Sequence, residues 1–512
     1  MPALAASKAR VLERLNGTHA GRWIVAWTCL GLLGSAAVVL TGGQLAGGAV
    51  RWWVDPTIIT SDSDQEIVLY AGMVALTLAW LALGLQARAS VMKPRTLWII
   101  GALWALPLVL TAPVFSRDVY SYFAQGTLLN HGLNPYHDLP TALARIHQDR
   151  VLSAVDPFWQ QTTAPYGPLF LGIVSLFAGV AGSHVVLGAQ LVKLLGLVGL
   201  ALLAVFVPRL ARTQGYDPTR ATWLAVLNPL VLFALVVPGH NDLLMVGLMV
   251  AGVTLATEGR PLVGICVCAL AATIKLPAAV AALFIAVAWA RSASDWQDRV
   301  RRLAQAAVVG LAIFGLVSLI TGVGVSWVTS TLFSAPARVK LAITPASGLA
   351  WTISHVVGVS FTTLQSVLRG LFGALTLLLV LELLRRTSRT KLVWCLGLAL
   401  VVLAWGGPAA WPWYFVWGLA LLAATAGTRT LVWSVLLIVA GAFVVKPSGI
   451  LALPLESAPY VMSAYALVAV LGFFTWRSYS ASTETPPGLT QTRHTPTDGS
   501  PSGPRESALV KP

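Results

Sequence analysis

Continuous apolar runs, most of them close to 20 residues, recur along the chain to about residue 479, separated by short basic or polar stretches. A run of that length crosses a bilayer as a helix, because backbone polar groups in lipid must be bonded within their own segment. The runs do not alternate apolar with polar, which argues against a β-barrel. The pattern predicts an all-α polytopic membrane protein with about 13 to 15 transmembrane helices. The first spans are expected at 22–45, 66–87 and 97–114. The segment 261–290 reads as two short helices broken at Lys275-Leu-Pro277. The helix pattern resumes at 118–130, after the third run.

Basic residues orient these runs. The N-terminal stretch 1–21 is basic and expected to be cytosolic. Arg88, Lys93 and Arg95 mark a second cytosolic turn. Others lie at Arg291, Arg299, Arg301 and Arg302, at Arg385, Arg386, Arg389 and Lys391, at Arg429, and beyond Arg477. That parity places a long loop, 115–166, outside. It also places outside Gly239-His-Asn-Asp242, the break at Lys275, and the stretches 322–350, 405–412 and 447–460. One region resists the count. Pro165–Pro168 reads as external and Arg209, Arg212 and Arg220 as cytosolic, yet 168–183 and 186–208 look like two spans. Either one of them is re-entrant or interfacial, or this basic loop breaks the charge rule. The organisation expected is a basic N-terminus (1–21), one membrane domain (22–479) and a disordered cytosolic tail (480–512) rich in Ser, Thr, Pro and Gly. No internal repeat is evident.

Composition supports this class. Of 512 residues, 57% are hydrophobic and only 10% charged, and mean hydropathy is +0.77, which no soluble globule shows. The net charge of +15 would suggest nucleic acid in a soluble protein. Here the cations sit in loops between apolar runs, where they meet membrane lipids, so no nucleic-acid partner is expected. Cys29, Cys266, Cys268 and Cys395 all fall in apolar segments and read as small packing residues, not a disulfide framework or metal site. No Walker lysine loop, dinucleotide glycine fingerprint or paired-cysteine zinc pattern is present.

The polar residues with chemical potential gather on the expected outer side. Ser116-Arg-Asp-Val-Tyr-Ser-Tyr places Asp118 where lipid meets water, and ionisable groups at membrane depth are usually functional. The plain alternative is a helix start, with Ser116 capping and Asp118 facing the positive end of the dipole. In a helix from 118 to 130, Asp118, Tyr122 and Gln125 share a face. Arg117, Asn134, Tyr136 and Tyr166 extend the group. Rings, amides and a carboxylate together suit a sugar. An aromatic belt would explain the tyrosines but neither Asp118 nor Gln125. His240, Asn241 and Asp242 form a second group suited to a phosphate, a sugar hydroxyl or a divalent ion, with capping of the next helix by Asn241 or Asp242 as the rival reading. Lys275, Arg338, Lys340 and Lys446 are expected outer cations that suit a phosphate, with snorkelling to the interface as the rival. Trp413 and Tyr414, within Trp411-Pro-Trp-Tyr-Phe-Val-Trp417, suit sugar or isoprenoid stacking, with an interfacial belt as the alternative.

These stretches, taken in order from about 97 to 450, resemble a known family. The carriers are the Ser116 motif with Gln125-Gly126, His131-Gly-Leu-Asn-Pro-Tyr136, Thr163-Ala-Pro-Tyr-Gly-Pro168, Asn228-Pro-Leu-Val-Leu232, Gly239-His-Asn-Asp242 and Pro412-Trp-Tyr414. They are similar to the polyprenol-phosphate-mannose-dependent α-1,6-mannopyranosyltransferases of mycobacteria and corynebacteria. The resemblance implies the GT-C membrane fold. It implies inverting transfer from polyprenyl-phosphate mannose to the 6-hydroxyl of a mannan or lipomannan acceptor. It also implies an acidic base in an early external loop, matched here by Asp118. The motif holds one acid with no adjacent second acid, so no cofactor is expected, with a divalent metal as the less favoured alternative. Two rival functions are a GT-C transferase for another polyprenyl-linked sugar and a transporter or flippase of lipid-linked sugars. The second would place its polar groups near the midplane in repeated halves.

Overall fold

The computed structural model describes residues 20–46, 50–54, 58–88, 92–333 and 338–483. Most of the basic N-terminus and of the tail, 1–19 and 484–512, therefore lies outside the described residues. The described chain is α-helical, and its β-structure is the single bridge Val445–Leu451. Six helices among the described residues are long and apolar enough to cross a membrane: Gly21–Leu45, Asp62–Arg88, Val185–Thr213, Pro218–Val236, Trp296–Thr321 and Phe361–Arg386. Shorter apolar helices lie between them, including Pro94–Leu110, Asp242–Thr257, Pro261–Ala272 and Leu392–Gly406. In Trp296–Thr321 and Phe361–Arg386 only 17% and 6% of the apolar window is buried within the protein. Leu319, Ile320 and Leu378 stand exposed on them. So much uncovered apolar surface belongs in lipid. The chain is an all-α polytopic membrane protein. Two compact units are present, one ending at Met462; the other begins at Ser463 and holds the rest of the helix Ala458–Thr483.

Helices in lipid gain little from hydrophobicity and pack through small residues. Gly34 and Gly72 bring the first two helices together: a Cβ on Gly34 would lie 2.5 Å from the Gly72 carbonyl. Gly199 and Gly247 do the same where Val185–Thr213 crosses Asp242–Thr257. The break expected at Lys275 is observed, with Pro261–Ala272 ending before a tight turn at Leu276–Ala278 and Ala279–Arg291 resuming. The helix expected at 118–130 runs from Asp118 to Asn130.

The structure resolves the parity problem between 167 and 220. Pro168–Ala181 has 14 residues, about 21 Å at the α-helical rise, which falls short of the ~30 Å hydrocarbon core. It runs beside Asp118–Asn130 in the same direction. The Tyr122 ring meets Phe170 at 5.1 Å, Gly126 faces the Val174 carbonyl, and Gly179 faces Asn130. Val185–Thr213 then starts at the end where Pro94–Leu110 finishes, since Lys193 donates to the carbonyls of Leu108 and Thr111. One crossing, not two, separates Pro168 from Arg212. Hydropathy could not distinguish a helix buried against its neighbour from one buried in lipid.

A Cβ at Gly126 would lie 2.4 Å from the Val174 carbonyl oxygen, a backbone atom that cannot rotate away. Gly126→Val is therefore expected to destabilise the protein by about 1–3 kcal/mol, as overpacking does. It should lower the thermal unfolding temperature of purified protein, and an unchanged temperature would mean the two helices do not meet there.

The loops form two groups. Phe115 bonds Pro447, Asn134 bonds Val323, Ser330 bonds Ala164 and Arg338 bonds Gln161. These were all expected on one side. Arg209 pairs with Glu258, Arg220 bonds Ala426, and Arg291 donates to carbonyls of Leu384, Arg385 and Thr387. These come from the basic turns expected on the other side. The helix Asp242–Thr257, about 24 Å long, separates Asp242 from the Arg209–Glu258 pair.

Candidate functional site

The carboxylate of Asp118 is placed by strained, well-braced backbone. The Phe115 N–H donates to Pro447 O at 2.9 Å, and Phe115 adopts φ +70°, a left-handed conformation rare for an aromatic residue. Such strain is held only where the surroundings over-determine it. Here the Pro447 bond and the packing of the Phe115 ring toward Phe233 do so. Ser116 Oγ then accepts the Asp118 N–H at 3.2 Å, and the helix begins. Asp118 thus sits in the first turn, at the positive end of a helix dipole. Trp159 Nε1 donates to one of its oxygens at 2.8 Å, and His240 Nε2 lies 3.7 Å from the other. Its side chain keeps 20% of its surface exposed.

The second half of the site comes from 228–242. Asn228 accepts the Val231 N–H at 2.8 Å, so Pro229 can open a turn of helix. A π-helical turn at Leu232–Val236 follows, a feature that often re-aims chain at functional sites. Gly239 takes φ +75°, and a Cβ there would lie 2.6 Å from Lys193 Cγ. Glycine is required on both counts. The turn delivers His240, Asn241 and Asp242 into the interior, all nearly without exposure. Both nitrogens of His240 and both amide atoms of Asn241 are buried without a hydrogen-bond partner. His240 instead meets the Trp413 ring at 4.3 Å. The capping alternative is not what is observed: Asn241 makes no capping bond, and Asp242 turns to Lys275 and Trp417. Lys275 Nζ donates to both Asp242 oxygens at 2.9 and 2.8 Å, and Trp417 Nε1 donates at 2.7 Å. The ammonium lies 4.5 Å from the Tyr414 ring centre.

Asp118, His240, Asp242, Lys275, Trp413 and Tyr414 therefore converge from four separate stretches of chain. The aromatic run at 411–417 forms a wall of this site. Trp411 stacks on Trp413, Tyr414 stacks on Trp417, and Trp413 and Trp417 are buried, unlike the residues of an interfacial belt. Tyr122 and Tyr166 meet edge to face at 4.8 Å and continue the wall toward Trp159.

Other expected contacts take different places. Gln125 is fully buried, bonded to Ser121, with its carbonyl oxygen unpartnered. Arg117 donates to Ala154 O, tying the loop to the helix head. Asn134 accepts the Tyr136 N–H, and the Tyr136 hydroxyl donates to Tyr166 O at 2.7 Å. These two brace the loop. Burial pushes the Tyr136 hydroxyl far above its ordinary pKa, which keeps it a donor. The geometry pairs Lys275 with Asp242 through two of its donors, where the spacing alone suggested a phosphate contact. Arg338 holds Gln161 and Thr162 on the turn that carries Trp159. Lys446 is exposed on the hairpin that docks on Phe115, and Lys340 lies over Phe361, away from Asp118's contacts.

Three residues take roles that were not foreseen, Trp417 being marked in the sequence only as part of the aromatic run. Trp159 and Trp417 bond the two acids through their indole N–H groups, and aromatic-rich composition alone does not mark such donors. Lys193 is a fully buried cation inside an apolar helix, and its charge within a span was the readable signal. Among the described residues no group of three His, Cys, Asp or Glu side chains is arranged to hold a metal ion, and all four cysteines are free.

A family model described as "Alpha-(1->6)-mannopyranosyltransferase, N-terminal domain" matches residues 27–291, and a "MptB C-terminal domain" model matches 343–476. The chain is 36% identical over 420 residues to alpha-(1->6)-mannopyranosyltransferase A of Mycobacterium tuberculosis, covering 77% of this chain and 80% of that one. It is 31% identical to a probable alpha-(1->6)-mannopyranosyltransferase of Mycolicibacterium smegmatis, covering 77% and 78%. With alpha-(1->6)-mannopyranosyltransferase B of Corynebacterium glutamicum it shares 27% identity over 88% of this chain and 80% of that one. No solved structure matches.

Proposed function

The chain belongs to the alpha-(1->6)-mannopyranosyltransferase family, and on that premise we propose that it moves mannose from polyprenyl-phosphate mannose to the 6-hydroxyl of an α-1,6-mannan acceptor such as lipomannan. The region 22–479 acts as one GT-C catalytic unit in the plasma membrane, with both termini cytosolic and the reaction at the outer face. Asp118 is the base. The observation that carries this assignment is the contrast between the two acids of the site. Asp242 is 1% exposed and spent on Lys275 and Trp417, whereas Asp118 is open on one side.

The reaction is a single displacement with inversion, by the logic of inverting glycosidases with a sugar hydroxyl replacing water. The acceptor oxygen bonds the mannose anomeric carbon as its proton passes to Asp118. The bond from that carbon to the phosphate oxygen breaks, and its electron pair leaves with the polyprenyl phosphate. That leaving group is already stable, so no general acid is needed. Arg338 and Lys446 are the cations next to the segments that hold Asp118 and would balance charge growing on the phosphate. His240 and Asn241 offer unpaired polar atoms for sugar hydroxyls, since buried polar groups find partners in the working complex. Tyr122, Tyr166 and Trp413 supply ring faces. The lipid tail adds binding energy remote from the reacting carbon.

Purified full-length protein, incubated with polyprenyl-phosphate mannose and a short α-1,6-mannoside, is expected to extend the mannoside by one residue. Polyprenyl-phosphate glucose and arabinofuranose should compete poorly. Transfer from another lipid-linked sugar in preference to mannose would overturn the donor assignment, and transport without transfer would overturn the enzymatic reading.

A further inference from the structure

A groove of about 640 Å³ is lined by Arg51, Trp53, Arg150, Ser153, Ser183 and His184. It is within the size range of small-molecule sites. The site described above uses none of these residues. Arg51, Arg150 and His184 are exposed. Among the described residues, no acid pairs with the two guanidinium groups, and neither makes a side-chain hydrogen bond. Two unpaired guanidinium groups beside the Ser183 hydroxyl suit the oxygens of a phosphate, which arginine grips bidentately; the Ser153 hydroxyl donates to Arg150 O at 3.0 Å. Beside them Trp53, Val54 and Ile58 stand exposed at 63%, 38% and 77%. An uncovered indole and aliphatic side chains next to arginine are the arrangement found at a membrane–water interface. The groove therefore offers a polar grip and an apolar border together.

Two contacts join the groove to the helix head. Trp52, between the two lining residues Arg51 and Trp53, donates its indole N–H to the Tyr120 hydroxyl at 2.7 Å. Ala154, next to Ser153, receives the Arg117 guanidinium at 3.0 Å. Arg117 and Tyr120 flank Asp118 in sequence.

We propose that this groove is a second anion site, holding the phosphate of an amphiphile at the interface and bracing the head of the Asp118 helix when occupied. The phosphate chemistry is shared by a lipid headgroup and free phosphate. The test uses full-length protein in phosphatidylcholine nanodiscs, wild type and Arg51→Gln/Arg150→Gln, titrated with a short-chain fluorescent phosphatidylglycerol. Wild type is expected to bind saturably, and the double variant about tenfold or more weakly, given the attraction each arginine exerts on an anionic headgroup. Competition by millimolar inorganic phosphate assigns the site to free phosphate; failure of phosphate to compete assigns it to the headgroup. Both arginines are exposed, so the thermal unfolding temperature should not move, and that measurement separates lost binding from lost folding. Equal affinity of wild type and a folded double variant would overturn the proposal, whatever sugar the enzyme transfers.

Discussion

Asp118→Asn is expected to lower the single-turnover rate of mannose transfer by about 10²–10⁴-fold, the usual contribution of a positioned base, while donor binding stays within about twofold. The asparagine keeps the shape of the side chain, and its carbonyl oxygen can still accept the Trp159 N–H that now reaches Asp118 at 2.8 Å. Only the capacity to take a proton is lost. The unaltered donor affinity follows because this carboxylate carries a negative charge and makes no favourable contact with a phosphate before reaction. A loss of that size at unchanged donor affinity marks an interaction made in the transition state. A rate within tenfold of wild type would remove Asp118 from the base role and turn attention to His240, 3.7 Å away.

Much of this architecture was legible because membrane spans are written in plain local terms. Apolar length, proline breaks and basic turns placed the early spans and the interruption at Lys275 close to where they lie. The helix start at Asp118 was also local, since an aromatic-rich polar run after an apolar helix has few readings. The site's assembly was not local. Asp242 meets Lys275 across 33 positions and Trp417 across 175, and no periodicity encodes such meetings. Spacing alone left Lys275 looking like a free outer cation, because a charge announces itself in a sequence but its partner does not. The same limit hid Trp159, whose indole reaches Asp118 across 41 positions. Asn134 and Tyr136 were read as sugar contacts for the opposite reason. Their composition suits a glycan, yet the same donors and acceptors suit a loop that must satisfy its own backbone.

The ion pair at the floor of the site supports a second large expectation. Lys275→Met removes the ammonium and leaves the Asp242 carboxylate, 1% exposed, facing only the Trp417 N–H. Breaking a buried pair in this way should cost about 3–5 kcal/mol of stability, seen as a lower thermal unfolding temperature in detergent and as loss of transfer. Asp242→Asn should also destabilise, because Lys275 is then left over the Tyr414 and Trp417 rings with weaker compensation. The double variant Asp242→Asn/Lys275→Met should be more stable than the sum of the two losses predicts. A coupling of about 0.5–3 kcal/mol is usual for residues in contact, and strictly additive losses would mean the pair contributes nothing. The cycle also separates the two roles open to Lys275. If the lysine serves to neutralise Asp242, the double variant regains stability and donor affinity together, since both acid and cation are gone and the Tyr414 wall is restored. If the lysine also grips the donor phosphate, stability returns but donor affinity does not, because no partner substitution can replace a positive charge owed to the ligand. Bidentate contacts to both Asp242 oxygens favour the first outcome: two of the ammonium's three donors are held by the carboxylate, and the charge lies 4.5 Å from the Tyr414 ring centre.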